Sequence, residues 1–178
     1  MKVLLAGGSG LIGQALACRL LENGHQVWGL TRTPQGKYSS ESNQEGVVWV
    51  GWDGRTTQGW GHLAGQVDAI INLSGANIGE RRWTEARKRV IRASRVEAGK
   101  AIVAAVEQST HRPALVIQIA GVGYYGPHGD EPLDEQSPPG KDYLASVAVD
   151  WENVTKPVTA FGVRLVTMRT GVVLTRQG

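Results

Sequence analysis

The chain has 178 residues, 41% of them hydrophobic and 20% charged, a composition that predicts one well-packed domain over residues 1–178. Its net charge is only +3, and no apolar run reaches the roughly 20 residues of a membrane span, so we expect no membrane-spanning segment. Cys18 is the only cysteine, which excludes an internal disulfide and is typical of a reducing, cytoplasmic compartment. Because an apolar run already starts at Val3, no signal peptide is expected.

Six short apolar runs, rich in Val, Ile and Leu, predict strands of a parallel sheet that is buried on both faces. They are Val3–Ala6, Gln26–Thr31, Val47–Val50, Ala69–Leu73, Leu115–Ile119 and Val163–Met168. Helical patterns alternate with these runs over Gly13–Asn23, Thr84–Gln108 and about Tyr143–Lys156. Gly24 is predicted to be the C-terminal cap of the first helix, and the third helix is predicted to end before Pro157. The alternation predicts an α/β fold with a doubly wound parallel sheet, the three-layer Rossmann type.

Two segments are predicted to be irregular. Pro34–Gly46 is polar and rich in Ser and Gly. Gly126–Lys141 holds four of the seven prolines and follows the fifth strand, on the side where open α/β sheets bind ligands. This second segment is either a substrate-side loop or an ordinary surface loop.

A glycine-rich turn, Gly7 to Gly13, joins the first predicted strand to the first helix. Glycines let the backbone approach a diphosphate, and the free N–H groups at the start of a helix supply partial positive charge. The turn follows the first strand of an alternating strand and helix chain, and that position is specific for dinucleotide binding.

The end of the second strand indicates which dinucleotide is bound. NAD enzymes usually place a carboxylate there for the ribose 2′-hydroxyl, but no Asp or Glu occurs from Gln26 through Tyr38. Arg32, helped by the Thr31 hydroxyl, is suited to bind a 2′-phosphate, so we predict NADP(H). The alternative is that Arg32 is an ordinary surface arginine. Asp53 either lies near the adenine or forms a turn with Gly54.

Small residues follow the fourth strand, and a basic segment comes after them. Ser74, Gly75 and Ala76 either let the backbone lie close to the cofactor or pack tightly. The segment from Arg81 to Arg95 holds seven basic residues, which either attract phosphates or form a solvated helix face.

Several longer motifs occur together in the chain. They are Gly-Gly-Ser-Gly-Leu-Ile-Gly at 7–13, Asn-Leu-Ser-Gly-Ala-Asn-Ile at 72–78, Arg-Arg-Trp-Thr-Glu at 81–85, Ser94-Arg95, Gly-Val-Gly-Tyr-Tyr-Gly at 121–126, Asp150-Trp151-Glu152 and Arg-Thr-Gly-Val-Val-Leu at 169–174. Over all 178 residues the chain resembles atypical short-chain dehydrogenase/reductases of the epimerase family, often named nucleoside-diphosphate-sugar epimerases. Plant and cyanobacterial members of that group carry the label of a cell-division inhibitor homologue.

The resemblance implies an NADP(H) site and a second domain. The implied cofactor-binding residues are Gly7, Ser9, Gly10, Leu11, Ile12, Gly13, Thr31, Arg32, Leu73, Ser74, Arg95 and, through its backbone, Val173. Relatives of this type continue with a smaller domain that closes over the substrate, and this sequence does not contain it.

The resemblance also implies a catalytic Ser or Thr, a Tyr and a Lys four residues after that Tyr. Tyr143 is the candidate acid/base, but Val147 stands at the lysine position, and Ala120-Gly121 stands where a hydroxyl is expected. Substitutes that the sequence leaves open are Lys141, Ser146, Tyr124 and Tyr125.

Two functional hypotheses follow from these residues. The first is an NADP(H)-dependent epimerase or oxidoreductase acting on a nucleotide sugar or another small carbonyl or hydroxyl compound. The second is a catalytically degenerate, cofactor-binding regulatory protein associated with cell or plastid division. The four histidines lack ligand spacing, so no metal is expected, and the absence of a base-stacking motif argues against a nucleic-acid partner. The partner is then a small-molecule substrate, with a homodimer as a possible assembly.

Overall fold

The computed structural model of the chain describes residues 1–33 and 46–174. Within these ranges the strands are β1 (Lys2–Ala6), β2 (Gln26–Thr31), β3 (Val47–Gly51), β4 (Ala69–Asn72), β5 (Leu115–Gly121) and β6 (Arg164–Thr170). The α-helices there are α1 (Leu11–Glu22), α2 (Glu85–Gln108) and α3 (Tyr143–Asn153). Short 3-10 helices cover Gly61–Gly65, Val122–Tyr124 and Lys156–Phe161. The loop predicted over Pro34–Gly46 lies, apart from Gly46, outside the described residues.

The strands of the described residues form one six-stranded sheet in the order β3-β2-β1-β4-β5-β6, and neighbouring strands are parallel throughout. This confirms the predicted doubly wound α/β fold. The strand order reverses between β1 and β4, where Ala6 is in register with Asn72. In such sheets ligands bind in the crevice outside the carboxyl ends of the strands at this reversal.

Apolar side chains pack on both faces of the sheet. The edge strands β3 and β6 contain no buried residue, so the prediction of strands buried on both faces is wrong for these two. On one face Leu4, Ile70 and Val116 pack with Ile102 and Val106 of α2. On the other face a smaller cluster contains Val3, Leu5, Val27 and Ile71 together with Ala17 of α1. Within the described residues no helix is long and apolar enough to cross a membrane.

Side chains and glycines fix the ends of the helices. Gly24 follows α1 with φ +74° and donates its N–H to the Leu21 carbonyl at 2.9 Å, so the predicted cap is present. The Thr84 hydroxyl caps α2 by accepting the Arg87 N–H at 3.2 Å. The Asp142 carboxylate does the same for α3 with the Ala145 N–H at 2.7 Å.

Some element boundaries differ from the prediction. β5 and β6 continue to Gly121 and Thr170, which lie opposite each other, and the Thr170 hydroxyl donates to the Ala120 carbonyl at 3.0 Å. The third helix ends at Asn153, and Pro157 lies at the start of the following 3-10 helix. A proline is tolerated there because the first N–H groups of a helix have no internal partner.

Candidate cofactor crevice

The glycine turn is packed directly against the end of β4. Gly7 has φ +80°, and a Cβ on it would lie 3.0 Å from the Leu73 carbonyl carbon. A Cβ on Gly13 would lie 2.6 Å from the carbonyl oxygens of both Gly7 and Gly8. Backbone conformation and close approach therefore both require glycine in this turn, which leaves its main chain bare at the crevice.

The start of α1 offers N–H groups to an anion. Gly10 is the N-cap, it makes no side-chain capping bond, and the first turn of α1 has no acidic residue. The first N–H groups of a helix lack partners within the helix and carry partial positive charge. Leu11 and Ile12 in this turn remain 43% and 39% exposed. The turn is thus suited to a phosphate group.

Ser9 and Thr31 lie together at the ends of the turn and of β2. The buried Thr31 hydroxyl donates to the Ser9 hydroxyl oxygen at 3.3 Å. Arg32 follows Thr31 and is exposed. Asp53 serves its own turn, because its carboxylate accepts the N–H groups of Arg55 and Thr56 at 2.8 Å. Those bonds, that of Thr56 first, lower the pKa of Asp53.

Ser74 carries a buried hydroxyl without a hydrogen-bond partner among the described residues. Its N–H donates to Asn72 Oδ1 at 3.1 Å, and the Asn72 amide donates to Gln118 Oε1 at 2.9 Å. These bonds hold the main chain after β4, beside Leu73 and the glycine turn. An unsatisfied buried hydroxyl costs about 1–3 kcal/mol, so a polar ligand that reaches Ser74 would recover that energy.

Arg95 of α2 lies against the chain that follows Ser74. One terminal guanidinium nitrogen donates to the carbonyls of Ala76 at 3.2 Å and Ile91 at 2.9 Å. The guanidinium carbon lies 4.6 Å from the centre of the Trp151 ring, and burial lowers the pKa of Arg95. Arg95 therefore holds the loop after β4, and its role as a cofactor ligand stays a prediction. Val173, the other distant candidate, is 48% exposed and follows β6.

Tyr143 faces α2 at the start of α3. Its hydroxyl donates to the Lys88 carbonyl at 2.6 Å, and its ring contacts the Trp83 ring edge to face at 5.8 Å between centres. Burial raises the pKa of Tyr143, which is the opposite of what a general acid/base tyrosine needs. Val147 is 3% exposed and packs as a core residue. The catalytic role of Tyr143 stays a prediction.

Of the alternatives to Tyr143, Ser146 is held in other contacts. Ser146 donates to the Tyr143 carbonyl at 2.7 Å and accepts from Arg92, which is also paired with Asp150. Lys141 is exposed.

Arg169 near the end of β6 organises the two remaining tyrosines, and sequence reasoning missed it. It donates to both carboxylate oxygens of Glu152, at 2.7 and 3.0 Å, and to the Tyr125 hydroxyl at 2.9 Å. Its guanidinium carbon lies 3.5 Å from the centre of the Tyr124 ring. A fourth bond, 3.2 Å to the Glu135 carbonyl, reaches the loop after β5. Arg169 thus joins β6, α3 and that loop.

Most of the basic segment is occupied by internal contacts. Arg87 pairs with Glu80 at 3.0 Å, and Lys88 pairs with Glu85 at 2.8 Å. These contacts favour the structural interpretation of the segment over a broad phosphate-binding patch.

A separate cleft shares no lining residue with the crevice. It has a volume of about 470 Å³ and is lined by the 3-10 helix Gly61–Gly65 and the C-terminal end of α2, including His62 and His111. The described residues contain no group of three or more His, Cys, Asp or Glu that could hold a metal ion.

The strand order and the glycine turn define a Rossmann-type α/β domain, and comparisons with known proteins specify it further. The model of the NAD dependent epimerase/dehydratase family matches residues 3–176. The chain belongs to this family.

Three relatives illustrate the similarity. Epimerase family protein Mb2239 of Mycobacterium bovis is 38% identical over 176 residues, which are 99% of this chain and 55% of that protein. The crystal structure of human epimerase family protein SDR39U1 (isoform 2) with NADPH is 31% identical, with a TM-score of 0.80, over 100% of this chain and 56% of that one. The nucleoside-diphosphate sugar epimerase of Corynebacterium glutamicum is 33% identical, with a TM-score of 0.78, over 100% of this chain and 35% of that one. The chain thus spans 55% and 56% of the length of the first two relatives and 35% of the length of the third.

Proposed function

We propose that this chain binds NADP(H) in the crevice between β1 and β4 and serves an epimerase or oxidoreductase-like protein. The substrate would be a nucleotide sugar or another small carbonyl or hydroxyl compound. The observation that carries this proposal is the bare glycine turn packed on Leu73, next to the buried, unpartnered hydroxyl of Ser74. The human relative crystallised with NADPH supports the choice of cofactor.

Each part of the crevice has a task in this proposal. The N–H groups at the start of α1 would bind the diphosphate, and Ser74 would donate a hydrogen bond to the cofactor. Arg32 would bind the 2′-phosphate, which no carboxylate from Gln26 to Thr33 repels. The bound cofactor would supply hydride transfer.

Calorimetric titration of the chain with NADPH and with NADH tests the cofactor assignment. We expect NADPH to bind more tightly, and Arg32→Ala to weaken NADPH binding by about tenfold or more, since a charge-assisted bond is lost. NADH affinity should stay unchanged. Arg164→Ala is the matched control, because Arg164 is exposed at the opposite edge of the sheet. Equal affinity for both cofactors, or unchanged NADPH affinity in Arg32→Ala, would overturn the assignment.

A second candidate function is a cofactor-binding regulatory protein that lacks catalysis. It is favoured by the buried, apolar Ala120 and Val147 and by the bond between the Tyr143 hydroxyl and Lys88. Incubation with a panel of nucleotide sugars separates the two candidates when turnover is read in two ways, as net oxidation of NADPH or reduction of NADP⁺ and as formation of an epimer, because an epimerase returns its cofactor to the starting redox state. Turnover that disappears in Tyr143→Phe supports the enzyme, whereas NADPH binding without turnover supports the regulatory protein.

We infer a cytoplasmic protein that acts on a small molecule, has no nucleic-acid or membrane partner and is compatible with a homodimer. Sedimentation of the purified chain, with and without NADPH, measures the assembly directly.

A further inference from the structure

The loop between β4 and α2 is held at three successive positions. The Ala76 N–H donates to the Ser94 hydroxyl at 2.9 Å, and Arg87 donates to the Asn77 carbonyl at 2.5 Å. The Trp83 indole N–H donates to the Ile78 carbonyl at 2.7 Å. This loop begins at Leu73 and Ser74, beside the glycine turn of the proposed cofactor crevice.

Trp83 presents a fixed aromatic surface at the end of this loop. Its indole N–H and its edge-to-face contact with Tyr143 fix the ring, yet 39% of the residue remains exposed. Ile78 beside it is also 39% exposed. A rigid, exposed tryptophan offers a stacking surface for a planar ring at little entropic cost.

Two cations next to Trp83 are available to an anion. The carboxylates of this segment, Glu80 and Glu85, are paired at 3.0 and 2.8 Å with other cations. Arg81 is left with only a 3.9 Å contact to Glu80, and its side chain is 75% exposed. Arg82 is exposed and makes no ion pair with any described residue. Guanidinium groups in this setting favour phosphate oxygens.

We propose that Trp83, Arg81 and Arg82 bind the nucleoside diphosphate portion of a nucleotide-sugar substrate, an inference that rests on the proposed function. The base stacks on the Trp83 ring, and the diphosphate binds the two arginines. A planar ring that carries phosphates combines the two chemistries that these side chains recognise. The loop then places the sugar toward Ser74 and the cofactor.

The test is calorimetric titration of UDP into the chain saturated with NADPH. We expect UDP to bind, and Trp83→Ala to weaken it by at least about fivefold, the lower range for a lost base stack. Trp83→Phe should keep most of the affinity. Arg82→Ala should weaken UDP but not uridine, which has no phosphate, and Arg164→Ala should change neither ligand.

Several outcomes would overturn the inference. They are no UDP binding to the NADPH-loaded chain, unchanged UDP affinity in both Trp83→Ala and Arg82→Ala, and a short oligouridine that binds more tightly than UDP. The NADPH affinity of each variant is measured in the same preparation and should equal that of the wild type, which also shows that the variant is folded. A chain that binds UDP through Trp83 but fails to bind NADPH would contradict the proposed function alone.

Discussion

Replacing Ser74 with alanine should stabilise the free protein while weakening cofactor binding. The Ser74 residue is 8% exposed, and its hydroxyl has no partner among the described residues. Ser74→Ala removes that hydroxyl, leaves the Cβ in place and keeps the main-chain bond to Asn72, so no large cavity forms. Because the desolvation cost of an unsatisfied hydroxyl disappears, the free energy of unfolding should rise by about 1 kcal/mol.

Urea unfolding and NADPH titration measure the two effects separately. With a slope of about 2 kcal/mol per molar urea, the unfolding midpoint of the free protein should move up by about 0.5 M. The NADPH dissociation constant should increase about three- to tenfold, which corresponds to one neutral hydrogen bond.

Ser94→Ala is the matched control, because this serine hydroxyl has two partners. It accepts the Ala76 N–H at 2.9 Å and donates to the Ile91 carbonyl at 3.0 Å. Its removal leaves a main-chain N–H unpaired, so the midpoint should move down by a similar amount. A Ser74→Ala protein that is destabilised as much as Ser94→Ala, or that binds NADPH like the wild type, would refute the role given to the Ser74 hydroxyl.

Three further predictions concern the turn, the buried ion pair and acid stability. Gly13→Ala should lower the free energy of unfolding, measured in urea, by about 1–3 kcal/mol. Its Cβ would lie 2.6 Å from two backbone oxygens, which cannot move aside as a flexible side chain can. A neutral effect would contradict that geometry. Arg169→Ala should lower the free energy of unfolding by about 3 kcal/mol, because it leaves the Glu152 carboxylate, whose side chain is 11% exposed, without its partner. The double variant Arg169→Ala/Glu152→Gln should recover part of that loss. Equal losses in the single and the double variant would exclude the ion pair as the cause. The pKa of Asp53 is lowered in the folded chain, so its ionised carboxylate stabilises the fold. That contribution to the free energy of unfolding is complete above about pH 4 and is lost as the pH falls through the lowered pKa. The free energy of unfolding should therefore decline less below about pH 4 in Asp53→Ala than in the wild type. Identical slopes in the two proteins would exclude Asp53 as a source of acid sensitivity.

Local chemistry explains what the sequence predicted well. Most strands are mainly apolar runs, and β2 has the predicted bounds Gln26–Thr31 because turn residues flank it. β6 is the exception, since four of its seven residues are Arg or Thr. Gly7 and Gly13 were recognisable because the geometry that needs glycine involves residues close in sequence or at a strand end. The positive φ of Gly24 follows from the same local rules.

Contacts between distant residues explain what the sequence could not supply. Arg169 bonds Tyr125, 44 residues away in sequence, and Glu152, 17 residues away, and neither spacing has a periodic signal. The one local signal for this ion pair is Glu152 itself. It is an acidic residue within the apolar pattern of α3, where a buried carboxylate needs a partner. The bond from Tyr143 to Lys88 spans 55 residues and decides where that hydroxyl points, which no motif encodes.

The crevice depends mainly on backbone atoms, whereas the expected catalytic position depends on side chains. Backbone atoms of the glycine turn and of the end of β4 meet at the proposed cofactor crevice, so these two segments determine its shape together. A proton-transfer site depends on the direction of side chains, and here the Tyr143 hydroxyl is bonded to α2. For the Tyr143 hydroxyl to reach a substrate, its bond to the Lys88 carbonyl must break, and the tyrosine ring is in contact with Trp83. Because the nucleotide proposed to stack on Trp83 would bind beside the same tyrosine, substrate binding and release of Tyr143 would be coupled, and Trp83 would affect both.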